Sequence, residues 1–142
     1  MLQADGRVQN VIIARRMGLT PPCTLRRLKA LEENGLVRGY RAQLEPDKLG
    51  YPVLAFLRVA LDPGIADRAA RFDALVQDTA NVRESHALAA GREYLMKCLF
   101  PSVASAQRFV TDTLLRTDFV LSVTSSFCIR TTKYEPGVPL GG

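Results

Sequence analysis

The chain has 142 residues, which is enough for one or two small domains. It is 47% hydrophobic and 23% charged, a composition typical of folded proteins that excludes a disordered chain. The formal net charge is +5, and residues 1–52 carry nine Lys or Arg and five Asp or Glu, a net of +4. This excess favours a polyanionic partner for the N-terminal third, because phosphate contacts release counterions.

The first predicted helix covers Asn10–Met17. Asn10 is expected to cap it, and Ile13, Ala14 and Met17 are expected to face inwards. Gly18 follows directly and can adopt the left-handed conformation that ends a helix without steric cost.

The second predicted helix covers residues 20–34. Thr20 can accept hydrogen bonds from the free N–H groups of the first turn, and Pro21 suits the first helical position. Gly35 ends the helix. Three leucines at a spacing of three define one face: Leu25, Leu28 and Leu31. Two short helices joined at a glycine turn are typical of a helix-turn-helix.

The segment Leu36–Arg41 is apolar and basic and contains a glycine, so it is predicted to form a short hairpin, the wing of a winged helix-turn-helix. Such a module places one helix in the major groove of double-stranded DNA. Arg26 faces away from the leucines and is our first choice for a base contact, with Arg27 at its flank. Arg38 is assigned to phosphate. The predicted DNA-binding set is Thr20, Pro22, Cys23, Thr24, Arg26, Arg27, Lys29, Arg38 and Arg41, with further phosphate contacts expected from Arg15 and Arg16.

Strands and helices alternate after a breaker-rich linker at 46–52. The predicted elements are a strand Leu54–Leu61, a helix ending near Thr79, strands Val82–Ala90 and Tyr94–Phe100, a helix opening at Pro101-Ser102, and a strand Phe119–Thr131. This β-α-β-β-α-β order predicts an α+β fold: a ferredoxin-like domain over 53–142, following the winged helix-turn-helix domain over 1–45.

The sheet face away from the helices is expected to be apolar. Leu57 and either Leu95 or Leu99 are assigned to it, and Tyr94, Met96, Cys98 and Phe100 to the helix-facing side of their strand. An exposed apolar sheet usually marks an interface, so a homodimer packed sheet against sheet is predicted.

Metal, disulfide and membrane functions are not expected. The three cysteines are odd in number, widely spaced and without a C-x-x-C pattern, which favours a reducing cytoplasm. No apolar run is long enough to span a bilayer, and the N-terminus lacks a signal-peptide pattern. His86 is the single histidine, and no Ser-His-Asp set, paired carboxylates or phosphate loop is found, so no enzyme activity and no cofactor are expected.

Several segments together resemble the Lrp/AsnC, or feast/famine, family of transcription regulators. They are Asp5-Gly6-Arg7, Ala14–Thr20, Arg27–Tyr40, Leu44–Gly50, Glu93–Met96, Thr113–Leu115 and Pro139-Leu140. The resemblance implies a C-terminal domain that dimerises, builds larger assemblies and binds an amino acid. It also implies a further helix ahead of residue 2, which is nearly absent here. Loss of this helix is expected to expose Ile12, Ile13 and Leu28. Three explanations of its absence are a start recorded too far downstream, a shortened chain and a weakened DNA-binding domain.

The resemblance further implies an effector pocket at the loop Ala90–Tyr94. Backbone N–H groups at Gly91 can hold a ligand carboxylate, and Glu93 can hold an ammonium. The family commonly has Gly, two variable residues and Asp before an aromatic, whereas here Gly lies one position closer and Glu replaces Asp. The effector set is Gly91, Arg92, Glu93, Tyr94, Thr124 and Ser126, with Ser125 beside them. A solvated turn and a wet strand face explain these residues equally well.

Two alternatives to a DNA-binding regulator stay open. One is an effector-binding module without DNA binding. The other is an enzyme that resembles the sirohaem decarboxylases, which share the two-domain layout and use basic residues and His to bind a tetrapyrrole.

Overall fold

The computed structural model describes residues 1–88 and 91–140, and within it the chain forms two units. One unit contains Met1–Leu44 and the tail at 135–140, and the other is Glu45–Tyr134. The tail departs from the predicted division, which placed all of 53–142 in the second domain. Its position follows from two hydrogen bonds: the Gln3 side chain donates to the Val138 carbonyl at 2.8 Å and accepts from the Val138 N–H at 3.2 Å.

The two N-terminal helices form as predicted. Helix α1 is Asn10–Met17 and α2 is Pro21–Glu33. Gly18 adopts the left-handed conformation at φ 64°, and its N–H donates to the carbonyls of Ala14 and Arg15 in α1. Glycine has no Cβ and adopts this conformation without a steric clash, so Gly18 allows the tight turn between the two helices.

Both expected caps are wrong in detail. Gln9 occupies the cap position of α1, while the Asn10 side-chain amide donates to the Pro21 carbonyl at 2.9 Å and so ties α1 to α2. Thr20 does occupy the cap position of α2, but its side chain makes no capping bond. Its carbonyl accepts instead from both the N–H and the hydroxyl of Thr24.

The buried side of the helix pair differs from the expected leucine face. Ile13 and Ala14 are buried as predicted, whereas Met17 is 57% exposed because it lies in the last turn, at the edge of the pair. On α2 the buried residue is Thr24, and Leu25 is exposed. The residues expected to be uncovered by a missing first helix behave differently: Ile12 is exposed, but Ile13 is buried and Leu28 is half-buried.

The predicted wing hairpin does not form. Gly35 has a left-handed φ of 71°, and the Val37 N–H bonds back to the Leu31 carbonyl at 3.0 Å, which ends α2 as expected. Beyond it, no strand is found at 36–44 among the described residues. The segment carrying Arg38 and Arg41 is irregular because its backbone has no strand to pair with.

The second unit confirms the β-α-β-β-α-β order. After a 3-10 turn at Asp47–Leu49 come β1 Val53–Leu61, α3 Arg68–Gln77, β2 Val82–Ala87, β3 Glu93–Phe100, α4 Val103–Arg108, a π-helical turn Phe109–Leu114 and β4 Val120–Phe127. The antiparallel sheet has the order β2-β3-β1-β4. The part of the β2 prediction that reaches Ala90 lies outside the described residues.

The helices cover one face of the sheet, and the core lies between them. On β3 the buried residues are the four predicted ones: Tyr94, Met96, Cys98 and Phe100. Leu57 was assigned to the outer face, but it is fully buried on the helix side, opposite Met96. The assignment was wrong because Ala55, Leu57 and Val59 form the inward set of β1. Leu95 and Leu99 lie on the outer face as expected.

Strand β4 is shorter than the predicted Phe119–Thr131. Its pairing with β1 shifts between Ala60 and Leu61, which leaves Leu121 as an extra, exposed residue. Ile129 lies beyond the strand and is 99% exposed. The strand therefore ends before Ile129, and its alternation is interrupted at Leu121.

Helix α4 begins at a capping box. The Ser102 hydroxyl accepts a hydrogen bond from the Ser105 N–H, and the Ser105 hydroxyl accepts one from the Ser102 N–H. It then widens into a π-helical turn, closed by the Leu115 N–H on the Val110 carbonyl at 2.9 Å. No helix of the described residues is long and apolar enough to cross a membrane.

Candidate DNA-binding surface and effector site

Helix α2 presents a basic surface. Arg26, Arg27 and Lys29 are all exposed. Within residues 1–88 and 91–140, none of the three forms an ion pair. Their charges are therefore free to meet phosphates or base edges. Arg15 and Arg16 are also exposed, in the last turn of α1.

The first turn of α2 holds the other predicted contacts, and they are not equivalent. Thr20 and Pro22 are exposed and Cys23 is half-buried. Thr24 is only 2% exposed, and its hydroxyl donates to the Thr20 carbonyl at 3.1 Å. This placement argues against a DNA contact by Thr24, whose hydroxyl is used inside the helix pair instead.

The remaining basic residues lie in the irregular segment after α2. Arg38 and Arg41 are exposed there, on either side of Tyr40. The Tyr40 hydroxyl donates to a carboxylate oxygen of Glu32 at 2.9 Å, and this hydrogen bond raises the pKa of Tyr40. The two arginines therefore flank a side chain that contacts the last turn of α2.

The predicted effector loop closes on itself through its backbone. The Gly91 N–H donates to the Leu88 carbonyl at 2.9 Å, and Gly91 has a left-handed φ of 65°. The Leu88 N–H donates in turn to the Glu93 carbonyl at 2.8 Å, and the Leu61 N–H to the Arg92 carbonyl. Because the Gly91 N–H is already bonded within the loop, it would have to exchange partners to hold a ligand carboxylate.

Glu93 has a partner that its position in the sequence does not reveal. Nη1 of Arg58 lies 2.9 Å from Oε2 of Glu93, and both side chains are partly exposed. Arg58 faces Thr124 on the neighbouring strand, so the pair lies beside one of the predicted hydroxyls. Alternation marks Arg58 as an outward residue of β1, but only the strand register brings it to Glu93.

The other predicted effector residues are divided between the two faces of the sheet. Thr124 and Ser126 share the outer face with Arg58, whereas Ser125 points to the helix side. Tyr94 is buried there, with its ring 4.5 Å from that of Phe72. Burial and the nearby Asp73 carboxylate raise the pKa of Tyr94. A ligand on the outer face therefore cannot contact Tyr94.

An open cleft of about 200 Å³ lies on the helix side of β4. Its lining residues are Gln107, Val110, Thr111, Ser125 and Phe127. Of the residues considered for the effector, it contains only Ser125.

Groups that could support metal or enzyme chemistry are sparse. Among the described residues, no cluster of three or more His, Cys, Asp or Glu could hold a metal ion. His86 is exposed on the edge strand β2, with Nε2 3.6 Å from Glu84. Burial raises the pKa of the Cys98 thiol to about 12, as expected for a cysteine that serves packing.

Comparisons with known proteins cover both units. The family model for the Lrp/AsnC ligand binding domain matches residues 54–138, and that for a winged helix-turn-helix DNA-binding module matches residues 1–38. The leucine-responsive regulatory protein of Rhizobium meliloti is 38% identical over 93% of this chain and 85% of its own length. That of Escherichia coli K12 is 35% identical over 81% of this chain and 70% of its own length.

Solved structures agree with these sequence matches. A transcriptional regulator of Neisseria meningitidis, solved in complex with L-methionine, has a TM-score of 0.92 and 36% identity, over 97% of this chain and 89% of its own. An AsnC family transcriptional regulator of Agrobacterium tumefaciens has a TM-score of 0.87 and 25% identity, over 97% and 90%. With both units matched, and with relatives above 30% identity over most of their length, the chain belongs to the Lrp/AsnC family of transcription regulators.

Proposed function

We propose that this chain is a sequence-specific DNA-binding regulator that acts as a homo-oligomer and changes its DNA affinity when its second unit binds an amino acid. The observation that carries the proposal is the pairing of a helix-turn-helix bearing unpaired cations with a ligand-binding domain of this family. The three cysteines are free thiols, buried or half-buried, which is consistent with a protein of the reducing cytoplasm.

We assign the DNA contacts by exposure and position. Arg26 reads a base edge, because it projects from α2 away from the buried Thr24 side. Arg27 supports it, and Thr20, Pro22 and Cys23 lie beside the groove at the start of the helix. Phosphate contacts fall to Lys29, Arg38 and Arg41.

We assign the effector to the outer-face group formed by Arg58, Glu93 and Thr124, with Ser126 on the same side and Gly91 and Arg92 in the adjoining loop. L-methionine is the probe of choice, since the Neisseria meningitidis regulator was solved with it. The charged pair offers both signs that a zwitterionic amino acid needs, a cation for its carboxylate and an anion for its ammonium.

A second copy of the chain is the partner we propose for the outer face of the sheet. Besides the charged pairs, that face carries Leu54, Phe56, Ala60, Leu95 and Leu99. Covering these side chains removes apolar area from water, and a two-fold dimer presents two α2 helices to paired half-sites. Larger assemblies would build on this dimer.

DNA binding by the full chain tests the proposal. Fluorescence anisotropy with the region upstream of its own gene and with random DNA, each at two salt concentrations, should show sequence preference and a steep loss of affinity with salt. Arg26→Ala should relax preference at one position, while Arg38→Ala should weaken all sequences alike. Equal losses for both variants on both DNAs would reject these roles. Binding of L-methionine without any DNA binding would instead favour an effector-sensing module.

A further inference from the structure

The segment from Arg38 to Leu44 makes few hydrogen bonds to the rest of its unit. Within the described residues, its backbone makes no hydrogen bond to any other backbone group. The last backbone hydrogen bond before this segment is donated by the Val37 N–H to the Leu31 carbonyl. Without a side-chain contact to fix it, such a segment would sample many conformations, and Arg38 and Arg41 would move with it.

One side chain of this segment does make a polar contact. The Tyr40 hydroxyl bonds to Glu32 on α2 at 2.9 Å, and no other side chain of 38–44 has a hydrogen bond or ion pair among the described residues. A hydrogen bond to a carboxylate is charge-assisted and stronger than one between neutral groups. The bond connects the arginine segment directly to the helix that carries Arg26 and Arg27.

The ring of Tyr40 has a second contact within the same unit. It lies over Gly6, where an added Cβ would come 3.1 Å from Cδ1 of the ring. The Gly6 turn is closed by the Asp5 carboxylate, which accepts from the Arg7 N–H at 2.8 Å. The ring therefore rests against the N-terminal turn while its hydroxyl reaches α2.

We propose that Tyr40 is a positioning residue for DNA binding: it fixes the 38–44 segment so that Arg38 and Arg41 meet the same duplex as α2. Tyr40 need not touch DNA itself. The inference rests on the proposed function, because it assumes that these arginines contact phosphates. Without the Tyr40 contacts the arginines keep their charge but lose their fixed positions, so binding bears the entropy of ordering them.

Trypsin gives a readout that does not depend on DNA, since it cleaves after Arg38 and Arg41. In the free chain, Tyr40→Phe and Tyr40→Ala should raise the rate of cleavage at these two bonds roughly two- to tenfold, the range set by the net value of one hydrogen bond. Tyr51→Phe is the matched control, an exposed tyrosine outside this unit for which no side-chain hydrogen bond is found among the described residues. It should leave cleavage at Arg38 and Arg41 unchanged.

DNA binding gives the second readout. Tyr40→Phe should weaken binding to operator and random DNA by the same factor, about two- to tenfold. Tyr40→Ala should also reduce the slope of log affinity against log salt, by up to about 1.8 if both phosphate contacts are lost. Glu32→Gln removes the charge of Glu32 but keeps an acceptor oxygen, so it should retain the slow cleavage that Glu32→Ala loses.

The outcomes separate this inference from the proposed function. If the wild-type chain binds DNA and both Tyr40 variants bind with unchanged affinity and salt slope, the positioning role is overturned and the function stands. If the wild type binds no DNA, the proposed function fails, and the positioning role for DNA fails with it. Unchanged trypsin cleavage in both Tyr40 variants overturns the inference whatever the DNA result.

Discussion

The Arg58 guanidinium and the Glu93 carboxylate pair at 2.9 Å across two neighbouring strands, on the outer face of the sheet. The Glu93 carboxylate therefore already has a cation, and a ligand ammonium must compete with Arg58 for it. The value of a partly exposed pair is small, at most about 1 kcal/mol, so the competition is weak enough for a ligand to win.

Substituting either member of the pair tests its role in ligand binding. Arg58→Gln and Glu93→Gln should each weaken binding of L-methionine, because the first removes the cation for the ligand carboxylate and the second removes the anion for its ammonium. Isothermal titration calorimetry measures both. Lys97→Gln is the control, because it breaks a different ion pair of the sheet, that between Lys97 and Glu84. Unchanged or tighter binding in Arg58→Gln would contradict the assignment of Arg58 to the ligand carboxylate.

The proposed dimer depends on the apolar outer face, of which Phe56 is the central aromatic residue. Phe56→Lys should raise the dimer dissociation constant at least about tenfold, because a buried interfacial aromatic is replaced by an unpaired charge. Sedimentation velocity over a range of concentrations measures it. Val103→Lys is the control, since Val103 is also exposed, at 45% against 38% for Phe56, but lies on α4. An unchanged dissociation constant in Phe56→Lys would place the dimer interface elsewhere.

Gly137 is required for the contact between the tail and Gln3. Its φ is +128°, and an added Cβ would lie 2.5 Å from Cδ of Gln3. Gly137→Ala should therefore release residues 135–140 and destabilise the first unit by about 1 kcal/mol. Hydrogen exchange of the tail amides measures the release. Gln3→Ala removes the two hydrogen bonds without straining Gly137, and it should raise exchange at the same amides; if neither variant does so, the tail contact is not formed in solution.

Cys98 makes stability depend on alkaline pH. Burial raises the pKa of its thiol from 9.0 to about 12, so between these values the unfolded chain loses a proton that the folded chain keeps. Stabilisation by the buried thiol is complete below pH 9 and is lost as pH rises towards 12, with a slope of up to about 1.4 kcal/mol per pH unit. Urea unfolding at several pH values measures the slope.

Two variants isolate the contribution of Cys98. Cys98→Ala should flatten the fall in the free energy of unfolding above pH 9, although it costs stability at every pH. Met96→Ala is the matched control, since it empties a neighbouring core position on the same strand without removing a titratable group. If both variants keep the wild-type slope, other groups cause the alkaline loss.

Local patterns predicted most of the fold. The alternation of Tyr94, Met96, Cys98 and Phe100 assigned one face of β3, and Gly18 predicted the turn between the DNA-binding helices; both are confirmed. The sequence of β1 does not show which face of the sheet holds Leu57, because apolar side chains occupy both faces of this strand. That choice depends on the helices that cover the sheet.

Features that depend on pairing between distant segments were missed. Leu121 looks like a regular strand residue, but the shift in register against Ala60 and Leu61 makes it a bulge. Arg58 and Glu93 are separated by 35 positions and meet only through the β1–β3 register. Thr24 was expected at the DNA surface because it lies near the N-terminus of α2, yet it is buried and its hydroxyl donates to the Thr20 carbonyl.

The measurement that tests the central claim most directly is an anisotropy titration of the full chain onto its upstream DNA, with and without saturating L-methionine. If the second unit regulates the first, methionine should change the DNA affinity by about five- to 150-fold in one direction, and DNA should change the methionine affinity by the same factor. Tight, salt-sensitive DNA binding that is identical with and without bound methionine would contradict the claim that this amino acid controls the regulator.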